Sequence, residues 1–302
     1  MVYGKIVSFA RNGFHDGSQF HLAYKRFRSH RLGVIGLVIV IGYLFFAIAG
    51  PIIVPRDPTA MDSASRLAGP SMAHPFGTDH YGRDVFTRTV VGARASLQVA
   101  VLSVGFATIA GVTFGLVSGF FRGYVDEAIM RAVDVMLAFP SILLALVVIA
   151  ILGPGLNRTI LALGIAYTPL MLRITRGSAL SVREEEYVTA AVAYGERSWN
   201  VMFKEMFPNL FPTVIVQATI TFAFAILVEA ALSYLGLSAQ PPTVTWGIMI
   251  SEGQEVLTVN PWMSIFPGLA IIVTVLGLTF LGIGLRDSLD AQEDGTIGGG
   301  FQ

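Results

Sequence analysis

Apolar residues lie along this chain in long unbroken runs, not in the short periodic patterns of a water-soluble domain. Six runs approach the ~20 residues that carry a helix across a bilayer: 32–54, 96–120, 136–152, 159–174, 210–235 and 264–285. Each predicts a membrane-spanning helix, because a helix satisfies its own backbone polar groups where no water can. The third and fourth runs are short and contain Pro140 and Pro169. Both prolines read as packing kinks, tolerated where neighbouring helices re-satisfy the freed carbonyls. The expected organisation is a terminal segment over 1–31, a first helix over 32–54, a loop over 55–95, a five-helix core over 96–286 and a tail over 287–302. The predicted fold class is therefore all-α, a polytopic six-helix membrane bundle.

One polar block interrupts the core. The stretch 183–209, REEEYVTAAVAYGERSWNVMFKEMFPN, carries eight charged residues between two apolar runs. Charges in lipid cost several kcal/mol each, so the block must sit in water at a membrane face. Ala190, Ala191 and Ala193 form a small-residue surface that another protein can approach closely. Gly195 suits the left-handed turn that stops a helix, and Glu184, Glu185 and Glu186 suit a helix N-terminus. The pattern predicts a short helix, a turn, a second short helix, and Pro208 at the entry to the next span.

Composition sharpens this picture. Of 302 residues, 54% are apolar and 13% charged; mean hydropathy is +0.67. Soluble domains run near ~25% charged. Zero net charge gives no footprint for nucleic acid, and the lack of cysteine excludes disulfides, thiol catalysis and thiolate metal sites. Placing the N-terminus inside puts fourteen of the twenty Lys and Arg residues on cytoplasmic segments and six outside, which favours N-in and C-in. The same parity puts 183–209 in the cytoplasm. Ala47-Ile48-Ala49 resembles a cleavage site, but the long polar lead and apolar run exceed a signal peptide, so 32–54 reads as an uncleaved helix. Basic and aromatic residues such as Tyr24, Lys25 and Arg26 suit a helix on anionic lipid.

Further along, Thr78 or Asp79 is placed to cap an interfacial helix bearing Val85, Phe86 and Val90, with Arg83 and Arg88 on its polar side. Gly111, Gly115 and Gly119, four apart, leave one helix face as bare backbone for a neighbouring helix. Arg131 and Asp134 are spaced to pair. Trp246 suits a membrane interface, and His74 and His80, without further ligands, read as loop residues and not a metal site. The Gly-rich end, 291–302, reads as disordered. Glu229 is the one acid well inside an apolar run, FAFAILVEAALSYLGL. Either it lines a translocation path, or it serves a hydrogen bond within or between subunits.

The polar block resembles the cytoplasmic loop of permease subunits in binding-protein-dependent ABC importers, where Glu-Ala-Ala is followed by three residues, Gly, nine residues, Ile, one residue and Leu-Pro. Here Ala190, Ala191 and Gly195 fall in register and Phe207-Pro208 stands for Leu-Pro, while Thr189 replaces the Glu and Glu205 the Ile. The run HPFGTDHYGRDVFTRTVVGARASL (74–97), the Gly-Tyr, Asp, Met-Arg and Asp positions of 119–148, and Gln240-Pro241-Pro242 with Trp246-Gly247 resemble the second, shorter-looped permease of dipeptide, oligopeptide, nickel and glutathione importers. That resemblance implies a loop, 177–209, that docks on an ATPase through Tyr187, Thr189, Ala190, Ala191, Gly195 and Pro208. It implies a homologous permease partner, two ATP-binding subunits that hold ATP and Mg²⁺, and an extracytoplasmic substrate-binding protein. This chain would bind no cofactor or metal and catalyse nothing. None of its three lysines, Lys5, Lys25 and Lys204, sits in a Gly-rich phosphate loop. Peptides lead as cargo, with nickel or glutathione behind. A proton- or sodium-driven secondary transporter using Glu229, or a non-transporting scaffold, are the competing classes.

Overall fold

The computed structural model describes residues 16–54 and 56–290; the terminal basic leader before Asp16 and the Gly-rich end lie outside them. Among the described residues, ten helices in chain order and a short 3-10 turn at Ser63–Ser65 make up the architecture, and no β-strand occurs. Helix α1 (Asp16–Ser29) meets α2 (Arg31–Ile53) at His30, whose side chain accepts from the Gly33 N–H and caps α2. Helix α3 is Val85–Phe121, α4 is Gly123–Leu137, α5 is Ser141–Leu152 and α6 is Leu156–Val182. Helix α7 is Glu186–Ala193, α8 is Ser198–Tyr234, α9 is Trp246–Gln254 and α10 is Trp262–Asp290.

Four helices, α2, α3, α8 and α10, are long and apolar enough to cross a membrane. The run 136–152, expected as a third span kinked at Pro140, breaks there: helices α4 and α5 meet at 90°. Pro140 explains the break: it has no N–H to donate, and it sits just before Ser141 as the N-cap residue of α5. Taken together, α4 and α5 make a fifth candidate span. Helix α6 is 27 residues long, enough to span, but Arg158, Arg173 and Arg176 dilute its apolar character.

The main core gathers Leu97, Ala100, Leu163, Ile226, Leu232 and Trp246 from α3, α6, α8 and α9. Along α3 and α6 the backbones nearly touch. A Cβ on Gly111, Gly115 or Gly119 would lie 2.6 Å from Met171 Cβ, 2.7 Å from Thr175 Cβ and 2.6 Å from Ala179 Cβ respectively. Carbon atoms pack comfortably at about 3.5–4.0 Å, so only glycine permits this approach. Those three residues therefore form a seam within the chain. A second core sits at the opposite end of the bundle from the 56–84 loop, where Val112, Leu116 and Ala179 meet Val188, Met202 and Met206.

Several local expectations change. The interfacial helix over the end of 55–95 is not separate: Val85 begins one continuous 37-residue helix, and Asp84, not Thr78 or Asp79, caps it through the Thr87 N–H at 2.8 Å. Asp79 instead accepts from the Tyr81 and Arg83 N–H groups within a tight loop. Arg88 does not face water; it is 3% exposed and donates to Glu252 on α9 at 2.7 Å, beside Arg83 at 3.0 Å. Arg131 pairs with Glu127, and Asp134 with Arg173 on α6. Trp246 is fully buried, donating its indole N–H to Thr89 O at 2.9 Å and packing edge-on against Tyr43. A single indole N–H found its acceptor inside the bundle, so the interface had no claim on it.

Candidate coupling site

Helix α7 starts with Glu185 at its N-cap and Glu186 in the first turn, where negative charge meets the positive helix end. Its end is a Schellman motif: the Gly195 N–H bonds Val192 O at 3.0 Å and the Glu196 N–H bonds Ala191 O at 3.1 Å. Gly195 takes φ +77, a left-handed conformation natural to glycine, and a Cβ there would meet nothing within 4 Å. The chain then turns straight into α8. The expected second short helix is the first part of α8 itself, running from Ser198 through a π-helical stretch, Val201–Met206, and on past Pro208 without ending. Pro208 lies at the start of the α-helical part, where its missing N–H costs little.

This hairpin of helices projects a small-surfaced knob. Thr189, Ala190, Ala193 and Gly195 are exposed, and Tyr194 is 91% exposed beside Trp199 at 59%. Ala191 turns the other way and packs on the second core. The knob is fixed from beneath. Val188, Val201, Met202 and Met206 are fully buried against α3 and α6. Asn209 donates to the Tyr187 hydroxyl at 2.9 Å, and Arg122 at the end of α3 pairs with Glu184. Partial burial and the Glu185 and Glu205 carboxylates push the Tyr187 phenol up, so it stays neutral at any physiological pH. Val188, Met202, Met206 and the exposed Trp199 were missed from sequence. The signal was present as apolar residues spaced along 188–206, but it was hidden by the charges between them.

Glu229 lies elsewhere. It is fully buried on α8, where its Oε1 accepts from Ser233 at 2.9 Å and Ser238 at 3.5 Å. Ser233 in turn meets Thr245, and Ser96 meets the Trp246 N–H, so a polar cluster joins α3, α8 and the loop before α9. The structure brings together Tyr187, Thr189, Ala190, Ala191, Gly195 and Pro208 at one end of the bundle. It leaves Glu229 in the core, and Gly111, Gly115 and Gly119 along the α3–α6 seam.

A bundle of apolar-surfaced helices that carries a polar knob at one end defines a multi-pass α-helical membrane protein. Residues 111–293 match the family described as binding-protein-dependent transport system inner membrane component, and residues 18–70 match the N-terminal TM domain of oligopeptide transport permease C. The chain is 43% identical to a dipeptide transport system permease protein of Alkalihalophilus pseudofirmus over 91% of this chain and 90% of that one. It is 39% identical to an oligopeptide transport system permease protein of Bacillus subtilis, over 89% and 88%. A solved inward-facing methionine ABC transporter chain has a similar fold, with TM-score 0.56 and 17% identity over 67% of this chain and 96% of that one. The chain belongs to the family of inner membrane components of binding-protein-dependent transport systems.

Proposed function

We propose that this chain and a homologous permease together form the translocation path of an ATP-driven importer for di- and oligopeptides. Two partner subunits hold ATP and Mg²⁺ and hydrolyse the nucleotide, and an extracytoplasmic binding protein delivers the peptide. Both ends of the chain face the cytoplasm, α6 completes six spans, and the knob of 186–200 docks in the ATPases. The observation that carries this reading is the exposed small-residue knob locked onto α8. Because Val188, Met202 and Met206 bind α7 to the base of α8, a push on the knob moves the helix as one body. Helix α8 continues for 37 residues, about 55 Å at 1.5 Å per residue, long enough to carry that movement across the membrane. Each state of the cycle is then favoured by its own ligand, ATP on one side or the loaded binding protein on the other. The relatives, which are permease proteins of peptide transport systems, favour this reading over the ion-driven alternative; Glu229 has its Oε1 held by Ser233 and Ser238 of its own chain and its Oε2 buried without a partner.

Gly195→Asp tests the reading. The left-handed turn tolerates Asp, so the variant should reach the membrane and assemble, while its new charge on the knob disrupts docking. In proteoliposomes holding the full complex, ATP hydrolysis should lose its dependence on loaded binding protein and peptide uptake should fall at least tenfold. Uptake equal to the unmodified complex, with Asp present and accessible, removes the coupling role from this loop.

A further inference from the structure

Helix α1 takes no part in the proposed transport cycle, yet it is fixed in place. It packs on α2 and α10. Ala23 is buried, and the ring edge of Phe27 sits over the crossing of those two helices. A Cβ on Gly33 would fall 3.0 Å from that edge and one on Gly284 3.1 Å, closer than carbon atoms pack comfortably, so bare backbone makes the notch for the ring. At the corner itself, His30 caps α2 through Nδ1 and reaches Asp287 on α10 through Nε2 at 3.1 Å. The rest of this corner is cationic. Lys25, Arg26 and Arg28 are exposed, and so is Arg31, the first residue of α2. Among the described residues no carboxylate pairs with any of the four. Lys25 and Arg28 are three apart on one helix face, where like charges repel. A chain of zero net charge thus gathers four uncompensated cations in one place.

The fold decides what can meet them. The apolar run of α2 starts at Leu32, and only His30 and Arg31 separate it from the end of α1. The cations therefore lie at the depth of the lipid headgroups. Leu22 and Tyr24 stand exposed beside them, an apolar and an aromatic side chain suited to that interface. From this we infer that the corner of α1, α2 and α10 is a binding site for anionic phospholipid headgroups, with Lys25, Arg26, Arg28 and Arg31 supplying the countercharge. Ammonium and guanidinium groups make their strongest hydrogen bonds to charged acceptors such as phosphate, and basic clusters beside a span draw anionic lipid. An ATPase subunit is the less fitting occupant, because the knob proposed to dock on it is built on α3 and α8, not on α2 and α10. Phe27 and His30 tie α1 to both neighbouring helices, so a headgroup held here also fastens α2 to α10. The site depends on the chain spanning a membrane and not on the nature of the cargo.

The test counts the lipids that the detergent-solubilised full complex retains in native mass spectrometry when phosphatidylglycerol or phosphatidylcholine is added. The unmodified complex should retain phosphatidylglycerol in preference. Each cation near an anionic membrane surface strengthens binding about fivefold, so changing Lys25, Arg26, Arg28 and Arg31 together to Gln should cut that preference at least about tenfold. Exchanging Lys25→Arg, Arg26→Lys, Arg28→Lys and Arg31→Lys keeps the charge and should keep the preference. Equal retention of the two lipids by the unmodified complex, or a preference that survives the four Gln changes, overturns the inference. Displacement of phosphatidylglycerol by inorganic phosphate at matched concentration overturns the lipid as its source. Loss of the ATPase subunits from the Gln variant, with the lipid preference intact, assigns the patch to a protein partner and overturns it too. Melting followed by tryptophan fluorescence reports whether the fourfold variant folds. If it does not, Lys25→Gln and Arg28→Gln made singly carry the test: each should lower the preference about fivefold, and no change in either overturns the site.

Discussion

Adding one methyl group at Gly115 tests whether the α3–α6 seam holds the bundle together. In an open helix, Gly→Ala stabilises by about 1 kcal/mol through backbone entropy. At Gly115 the new carbon would lie 2.7 Å from Thr175 Cβ and 2.9 Å from Leu172 O. The helices must separate by nearly 1 Å locally to restore ordinary contact distances of about 3.5 Å. Gly111 and Gly119 make the same close approach one turn away on either side, so α6 cannot retreat at one point without opening gaps at the next. Overpacking of this kind costs about 1–3 kcal/mol. The net expectation for Gly115→Ala is a loss of up to roughly 2 kcal/mol, after the helix-propensity gain is subtracted. Gly105 on the same helix is the control, since a Cβ there meets nothing within 4 Å. Gly105→Ala should gain up to ~1 kcal/mol. Unfolding of the solubilised protein followed by tryptophan fluorescence should therefore move in opposite directions for two chemically identical changes. If Gly115→Ala is as stable as Gly105→Ala, the seam is looser than these distances state and the close-packing reasoning is wrong.

Four further substitutions, at two clusters, probe buried polar groups. Glu229→Gln keeps the size of the side chain and its acceptor for Ser233 and Ser238, so peptide uptake should stay within about twofold, whereas Glu229→Ala leaves the Ser238 hydroxyl without its acceptor, Ser233 with Thr245 alone, and a gap in the core, costing about 2–4 kcal/mol; complete loss of uptake in Glu229→Gln with normal assembly would assign the charge itself a role. Where the loop before α3 meets α9, Glu252→Ala leaves Arg83 and the 3%-exposed Arg88 sharing Asp79 alone, two cations on one carboxylate, and removing one partner from a buried pair costs about 3–5 kcal/mol. Arg88→Met keeps the Arg83–Glu252 bond and should cost clearly less in a denaturant titration; the reverse order would show that Asp79, not Glu252, neutralises this cluster.

The sequence made α2, α3, α8 and α10 legible because lipid imposes one requirement, length of apolar run, and these four meet it without help. Helix α6 and the broken pair were harder to read. Their backbone is sheltered by neighbours, so arginines toward both ends of α6 and a proline between α4 and α5 are tolerated that a lone span would not allow. The turn at Gly195 was readable because its conformation is a local property of glycine. The burial of Trp246 and Arg88 was not, since each depends on an acceptor more than a hundred residues away, Thr89 for the first and Glu252 for the second. The knob shows both cases in one stretch. Its exposed small residues could be read from composition, but the attachment that the proposed lever requires depends on Val188, Met202 and Met206 reaching Leu116 and Ala179 across the fold. A loop with the same exposed face and polar residues at 188, 202 and 206 would dock on a partner equally well and transmit nothing. The coupling proposed for this loop therefore rests as much on the hidden side of the knob as on its exposed face.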